Sequence, residues 1–146
     1  MKKKGLNLTI RPYTEPDETA VIRLWEICGL VVPWNDPKKD IARKLRVQRD
    51  WFLVGLHRDR LIATIMIGYE GHRGWVNYLA VHPDFQKEGI GRRLMDEAER
   101  LLKDFGCPKL QLQVRTSNQA VIEFYRRIGY RMDDVVSLGK RLISDE

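Results

Sequence analysis

Residues 76–93, VNYLAVHPDFQKEGIGRR, combine an apolar strand, a proline turn and two glycines that open an amphipathic helix. The helix carries one apolar stripe at helical spacing, formed by Ile90, Leu94, Ala98, Leu101 and Phe105. The first amides of a helix have no partner inside it and lie at the positive end of its dipole, so this turn suits an anion such as a diphosphate. The segment therefore predicts a strand, an anion-binding turn and a helix.

Gly89 and Gly91 can also be explained without a ligand, as residues that shape a tight turn into the helix. Their spacing differs from a dinucleotide fingerprint, because Leu94 replaces the third glycine of G-x-G-x-x-G. It also differs from a P-loop, since no Lys-Ser or Lys-Thr pair follows. Two common nucleotide-binding motifs are thereby excluded.

The rest of the chain predicts a mixed sheet with helices packed on it. Alternating or β-rich runs predict strands at residues 6–11, 51–57, 61–69, 75–82 and 109–115, and a final hairpin at 130–142. Apolar residues at helical spacing predict helices at residues 17–28, 37–45, 90–105 and 118–128. The order β-α-α-β-β-β-α-β-α-β-β indicates an α/β or α+β fold, and the length of 146 residues suits a single domain, residues 1–146.

The net charge of +6 suits an anionic partner, which could be a nucleic acid, an acidic protein or a phosphorylated cofactor. The basic residues are interleaved with acids and form no recognisable reading motif, which argues against nucleic-acid binding. The start MKKKGLNLTI lacks the apolar region of a signal peptide, and no run of about 18 apolar residues occurs, so we expect a cytoplasmic protein without a membrane partner. Cys28 and Cys107 fit no metal-ligand spacing, and we expect neither a disulfide nor a metal.

Residues 86–91, QKEGIG, resemble motif A of the GNAT superfamily of N-acetyltransferases, written Gln/Arg-x-x-Gly-x-Gly/Ala. Downstream, LQLQVRTSNQAVIEFYRRIGY resembles the second core motif of that family, and the resemblance covers residues 75–131. It implies the GNAT fold, a mixed and mostly antiparallel sheet flanked by helices, with acetyl-CoA inserted between two strands that diverge. It also implies that the cofactor is bound by Leu79, Ala80, Val81, Gln86, Lys87, Glu88, Gly89, Ile90, Gly91, Arg92 and Asn118.

Two narrower resemblances lie within this family. The stretches PWNDPKKDI, YEGHRG, YLAVHP, GCPK and SLGKRLI are similar to those of the small bacterial YpeA group. The stretches LAVHPDFQKEGIGRRL and VRTSNQAVIEFYRRIGY resemble the alanine N-acetyltransferases of ribosomal proteins. Both resemblances imply acetyl transfer to an amine, and neither identifies which amine.

Acetyl transfer requires a neutral amine and a proton for the leaving thiolate. By match to a family tyrosine, Tyr125 is the predicted acid, although a core tyrosine on a helical stripe would give the same pattern. Gln113 stands where the ribosomal-protein enzymes carry a glutamate, and an amide cannot accept the proton. Glu70 is therefore the predicted base, together with His72 in the same turn, and the alternative is that both are solvated turn residues.

These observations predict an enzyme that transfers acetyl directly from acetyl-CoA to a primary amine of a small molecule or peptide. Trp34, Asn35 and Asp36 are candidate substrate-lining residues, and the same residues would make a good helix start. Two other functions stay open: an acyl-CoA-binding regulatory module without turnover, and a nucleic-acid-binding domain. A homodimer through the last hairpin also stays open.

Overall fold

The computed structural model describes residues 6–146, and its frame is a five-stranded sheet in the order β1-β2-β3-β4-β5. The strands are β1 (Leu8–Pro12), β2 (Phe52–His57), β3 (Arg60–Tyr69), β4 (Gly74–Val81) and β5 (Leu110–Gln111). The helices are α1 (Glu18–Ile27), α2 (Pro37–Lys44), α3 (Ile90–Phe105) and α4 (Gln119–Arg127). The first four strands are antiparallel neighbours, whereas β5 is parallel to β4, so α3 forms the crossover that a parallel pair requires.

Each face of the sheet has its own apolar core. Helix α3 packs on one face, where the buried residues include Ile65, Ile67, Val76, Ile90, Leu94, Met95, Ala98 and Leu102. Helices α1 and α2 cover the other face, where the buried residues include Val21, Leu24, Trp25, Ile41, Phe52, Val54 and Met66. Successive residues of a strand point to opposite faces, which is why β2 and β3 contribute to both cores. The predicted fold class, a mixed and mostly antiparallel sheet flanked by helices, is confirmed.

The helix ends follow the signals in the sequence. The Asp36 carboxylate accepts hydrogen bonds from the amides of Lys38 and Lys39, and Pro37 takes the first helical position of α2. Helix α3 ends at Gly106, whose φ of +97° is a conformation that glycine adopts without strain. Both helices lie within a few residues of their predicted bounds.

The secondary structure predicted for the C-terminal part of the chain is wrong in two respects. Residues 130–142 form no strand, so the observed order ends with β5 and α4 instead of two further strands. In addition, β5 covers only Leu110–Gln111 instead of residues 109–115. An alternating pattern becomes a strand only where a neighbouring backbone edge runs alongside it, and β5 ends too early to supply that edge.

Polar side chains take the place of the missing ladder. Gln111 Nε2 donates to Asp133 Oδ2 over 2.7 Å, and the Gln113 amide donates to the Ser137 hydroxyl. The apolar side chains of this C-terminal segment are left exposed, namely Met132, Val135, Val136, Leu138, Leu142 and Ile143. A homodimer through this segment stays a prediction.

Residues 6–146 include no helix that is both long and apolar enough to cross a membrane. Cys28 and Cys107 are both free thiols, as predicted. Within the same part of the chain, no three His, Cys, Asp or Glu side chains gather where they could hold a metal ion. That acetyl transfer needs no metal here stays a prediction.

Candidate active site

Strands β4 and β5 run side by side only at their beginning. Gly74 pairs with Leu110 and Trp75 with Gln111, and no backbone ladder joins the two chain segments after that point in the described structure. Two parallel strands that start together and then separate leave an opening that widens towards the carboxyl end of β4. The end of this ladder agrees with the predicted divergence of the two strands, which stays a prediction.

A β-bulge interrupts β4 beside this opening. Thr64 pairs with Ala80 and Met66 with Asn77, so that Tyr78 and Leu79 together face a single residue of β3. Tyr78 has a φ of 51°, in the left-handed region that residues other than glycine rarely adopt. Bulges re-aim the backbone of a strand, and this one lies next to residues 79–81, the segment predicted to bind the cofactor arm.

A buried hydroxyl holds the bulge in place. Trp25 Nε1 donates to Thr64 Oγ1 over 2.9 Å, and Thr64 Oγ1 in turn donates to the backbone carbonyl of Tyr78 over 2.9 Å. The Trp25 and Tyr78 rings stack with their centroids 3.9 Å apart. The role of Thr64 was not predicted from the sequence. The only sequence feature that indicates it is the presence of this polar residue within the apolar run LIATIMI.

Thr64→Val is expected to lower the free energy of unfolding by about 2 to 4 kcal/mol, because it leaves a buried N–H and a buried carbonyl without partners. Urea denaturation measures this loss. Thr64→Ser keeps the hydroxyl and removes only a methyl group, so it is expected to lose no more than about 1.5 kcal/mol. Equal losses in the two variants would show that the hydroxyl does not hold the bulge.

The glycine loop follows the carboxyl end of β4. Lys87 and Gly89 both have positive φ angles, of 66° and 80°, and Gly89 is the N-cap of α3 without any side-chain cap hydrogen bond. The first amides of α3 are therefore not capped by a side chain at this position, which is the condition for an anion to bind them. Gln86 Nε2 donates to the Val81 carbonyl over 3.0 Å and so ties the loop to the end of β4.

The two glycines of the loop have different structural requirements. Gly89 needs its positive φ, whereas a Cβ added there would meet nothing within 4 Å. At Gly91 an added Cβ would lie 3.2 Å from Phe124 Cζ. The aromatic ring of Phe124, on α4, therefore packs directly on the first turn of α3. This packing explains Gly91 without reference to a ligand, and it couples α4 to the loop.

Tyr125 is the residue after Phe124 and has an exposed fraction of only 8%. Its hydroxyl has no hydrogen-bond partner among the described residues. Burial raises the pKa of Tyr125 to about 12, which keeps it protonated at neutral pH. The catalytic role of this protonated hydroxyl stays a prediction.

Asn118 is the N-cap residue of α4, the helix that carries Tyr125. Its Oδ1 accepts a hydrogen bond from the Val121 amide over 3.3 Å, which is the N-cap arrangement. The N-cap role is confirmed, and the contact with the cofactor stays a prediction.

Glu70 is not brought to the loop. It lies in the turn between β3 and β4, and the eight residues of β4 separate this turn from Val81 by about 23 Å at 3.3 Å per residue. Its carboxylate accepts hydrogen bonds from the backbone amides of Arg73 and His72, which lower the pKa of Glu70. A carboxylate already bonded within its own turn is a weak base, and the catalytic role of Glu70 stays a prediction.

The predicted substrate-lining loop begins at the wide end of the opening. Cys28 Sγ, just after α1, lies 3.4 Å from the carbonyl of Val81, the last residue of β4. Further along this loop, the ring of Trp34 lies 5.5 Å from Arg115 Cζ, in the segment that follows β5. The loop therefore meets both sides of the opening.

Known proteins are similar to this chain in sequence and in fold. The model of the acetyltransferase (GNAT) family matches residues 6–130. An acetyltransferase of Pectobacterium atrosepticum is 47% identical over 138 residues, which cover 94% of this chain and 98% of that protein. The crystal structure of the ribosomal-protein-S18-alanine N-acetyltransferase from Escherichia coli is similar at 25% identity and a TM-score of 0.70, covering 84% of this chain and 77% of that one.

An acetyltransferase from Streptococcus agalactiae has the same fold at 13% identity, with a TM-score of 0.78 over 97% of this chain and 93% of that one. The predicted enzyme class, N-acetyltransferase, is confirmed by these similarities. The resemblance to the YpeA group stays a prediction. Because the family model matches 6–130 of 146 residues, the chain belongs to the acetyltransferase (GNAT) family.

Proposed function

We propose that residues 1–146 form one catalytic domain that moves an acetyl group directly from acetyl-CoA to a primary amine of a small molecule or peptide. One observation carries this proposal: the opening between β4 and β5 leads to a glycine loop at the uncapped start of α3, with the Tyr125 hydroxyl on the adjoining helix. The similarity to the Escherichia coli ribosomal-protein-S18-alanine N-acetyltransferase supports an amine acceptor.

The residues of the opening fit an extended, phosphorylated thioester. In this proposal the amides of the loop, Gln86 to Arg92, bind the diphosphate, because uncapped helix amides favour an anion. The segment Leu79–Ala80–Val81 begins in the bulge, and its backbone would bind the cofactor arm together with Asn118. Acetyl-CoA supplies the activated acetyl group, and the protein positions it.

Tyr125 is proposed to protonate the leaving thiolate. Its raised pKa means that the hydroxyl still carries its proton at the pH where the amine is becoming neutral. On the other side of the reaction, the amine must lose a proton, and Gln113 offers only an amide that already donates to Ser137. We infer that the amine deprotonates in solution or through water.

The rising limb of kcat/KM against pH is therefore expected to move with the pKa of the amine substrate. That limb reports the ionisations of free enzyme and free substrate, and an N-terminal amine with a pKa of about 7.7 to 8.0 is partly neutral without a base. The shift of this limb is measured by recording kcat/KM against pH for pairs of acceptors whose amines differ in pKa. A limb fixed at one pH for every acceptor, and lost in Glu70→Gln, would instead show that Glu70 is a dedicated base.

A turnover screen tests the proposed function itself. Purified protein, acetyl-CoA and a panel of amines are combined, and free thiol is measured with time. The panel contains polyamines, amino acids, aminoglycosides and short peptides with free N-termini or lysines. We expect thiol release that depends on at least one amine. A protein that binds coenzyme A tightly but releases thiol with none of them would be a regulatory module.

A further inference from the structure

Two guanidinium groups contact neighbouring residues of the connection between α1 and α2. Arg115, which follows β5, lies over the Trp34 ring at 5.5 Å. Arg141, in the C-terminal segment, donates through one terminal nitrogen to Asn35 Oδ1 over 2.7 Å. Trp34 and Asn35 belong to the connection between α1 and α2, the helices on the face of the sheet opposite α3. The proposed diphosphate site is at the start of α3, so an acceptor amine would enter from this other face.

The carboxylates beside these guanidinium groups are already engaged. Asp145 pairs with Arg43 through both oxygens, at 2.7 and 3.1 Å, and accepts a hydrogen bond from the Asp36 amide. Asp40 accepts from the Tyr78 hydroxyl over 2.6 Å and also contacts Arg43. Asp36 itself caps α2.

Arg115 and Arg141, by contrast, contact neutral groups within the described residues, the Trp34 ring and the Asn35 amide oxygen. Neither forms an ion pair with a carboxylate anywhere in residues 6–146. Their contacts, an indole ring and an amide oxygen, leave both positive charges uncompensated. A guanidinium group with free donors binds a carboxylate through two parallel hydrogen bonds, so this pair forms a ready site for an anion.

An open surface groove of about 530 Å³ adjoins Arg141. Its lining combines cationic and apolar side chains, from Arg43, Gly139, Lys140, Arg141, Leu142 and Ile143. Arg43 is neutralised by Asp145, whereas Lys140 adds a further positive charge without an ion-pair partner in the described chain. The groove thus places further positive charge beside Arg141.

We propose that the acceptor carries a carboxylate close to its amine, and that Arg115 and Arg141 bind this carboxylate while Trp34 contacts the body of the molecule. This inference rests on the proposed function, because it names the substrate class of the same site. It predicts selection against cationic acceptors, since a positive group here would face two unpaired guanidinium groups at close range. Free amino acids and peptides with an acidic second residue share the required chemistry.

Matched acceptors test the inference. The peptides Ala-Glu-amide, Ala-Gln-amide and Ala-Lys-amide carry the same α-amine and differ in the neighbouring charge, and acetylation of that α-amine is measured separately from acetylation of the lysine side chain. Alanine with alaninamide tests a free amino acid, with kcat/KM compared for the neutral amine because the two amines differ in pKa. In the series that resembles the natural acceptor, either the peptides or the free amino acid, kcat/KM is expected to be about 10-fold higher for the member with the carboxylate. The difference is expected in KM rather than in kcat. Ala-Lys-amide is expected to be the poorest peptide.

Arg115→Gln and Arg141→Gln are each expected to reduce this preference to about 3-fold or less, with KM for the neutral member changed by less than about 2-fold. Arg100→Gln is the matched control, because Arg100 is an exposed guanidinium on α3 that pairs with Glu97, and it should keep the full preference. Equal kcat/KM for charged and neutral members, in an enzyme that acetylates both, would overturn the inference and leave the proposed function standing.

A binding measurement separates the two proposals if no acceptor turns over. Thermal unfolding in the presence of coenzyme A is repeated with each peptide and each amino acid at several concentrations. The inference predicts a rise in Tm with the carboxylate members that Arg115→Gln and Arg141→Gln remove and Arg100→Gln retains. No difference between carboxylate and neutral members would overturn it, whereas a difference without any acetylation would contradict only the proposed turnover.

Discussion

Tyr125→Phe is expected to lower kcat about 100-fold while the affinity for coenzyme A changes little, because the loss of one general acid usually costs 10²- to 10⁴-fold in rate. The substitution removes only the hydroxyl of this buried residue. The ring, and with it the packing against Phe124 and Tyr130, is kept. Steady-state kinetics at saturating acetyl-CoA, with calorimetric titration of coenzyme A, measures both quantities.

Tyr130→Phe is the matched control for this substitution. The Tyr130 ring lies 5.6 Å from that of Tyr125, and its hydroxyl donates to Glu99 over 2.7 Å, so it has a structural partner that Tyr125 lacks. We expect Tyr130→Phe to lower stability and to leave kcat within about 3-fold of the original. Near-normal turnover in Tyr125→Phe, or equal losses in both variants, would return Tyr125 to a purely structural role.

Coenzyme A at about 100 times its dissociation constant is expected to stabilise the fold by roughly 2.7 kcal/mol, a rise of several degrees in Tm, and Gly91→Glu is expected to abolish this rise. A carboxylate on the first turn of α3 would compete for the uncapped amides and repel the diphosphate. Differential scanning fluorimetry with and without coenzyme A provides the measurement.

Gly91→Ala controls for the packing cost. An added Cβ at this position lies 3.2 Å from Phe124 Cζ, so both variants disturb the contact between α3 and α4, but only glutamate adds charge. The GNAT motif accepts alanine at this position, and Gly91→Ala is therefore expected to lose stability and keep the response to coenzyme A. If both variants lost the response alike, packing rather than anion binding would explain Gly91.

The parts of the fold that depend on neighbours in sequence could be predicted. The start of α2 at Asp36 and Pro37 follows from capping and proline geometry, and α3 follows from its apolar stripe. The glycine loop lies between a strand and a helix, as its residues indicated. All of these features are determined within about one helical turn or one strand.

The parts that depend on distant residues could not be predicted. The bulge at Tyr78 needs Thr64 and Trp25, which are 14 and 53 residues away and carry no shared local pattern. The C-terminal segment alternates like a strand, yet side chains such as Gln113 bind it instead of a backbone edge. Likewise, the sequence alone did not show that the turn amides occupy the Glu70 carboxylate.

The most direct test of direct acetyl transfer follows the acetyl group itself. The protein is incubated with acetyl-CoA labelled with carbon-13 in the acetyl group and with the best acceptor of the amine screen. The products are followed by NMR, and the protein by mass spectrometry. The account predicts that the label appears on the nitrogen of the acceptor at the rate of thiol release, and that no acetylated protein accumulates before it. Label that appears first on the protein, or only as free acetate, would contradict the account.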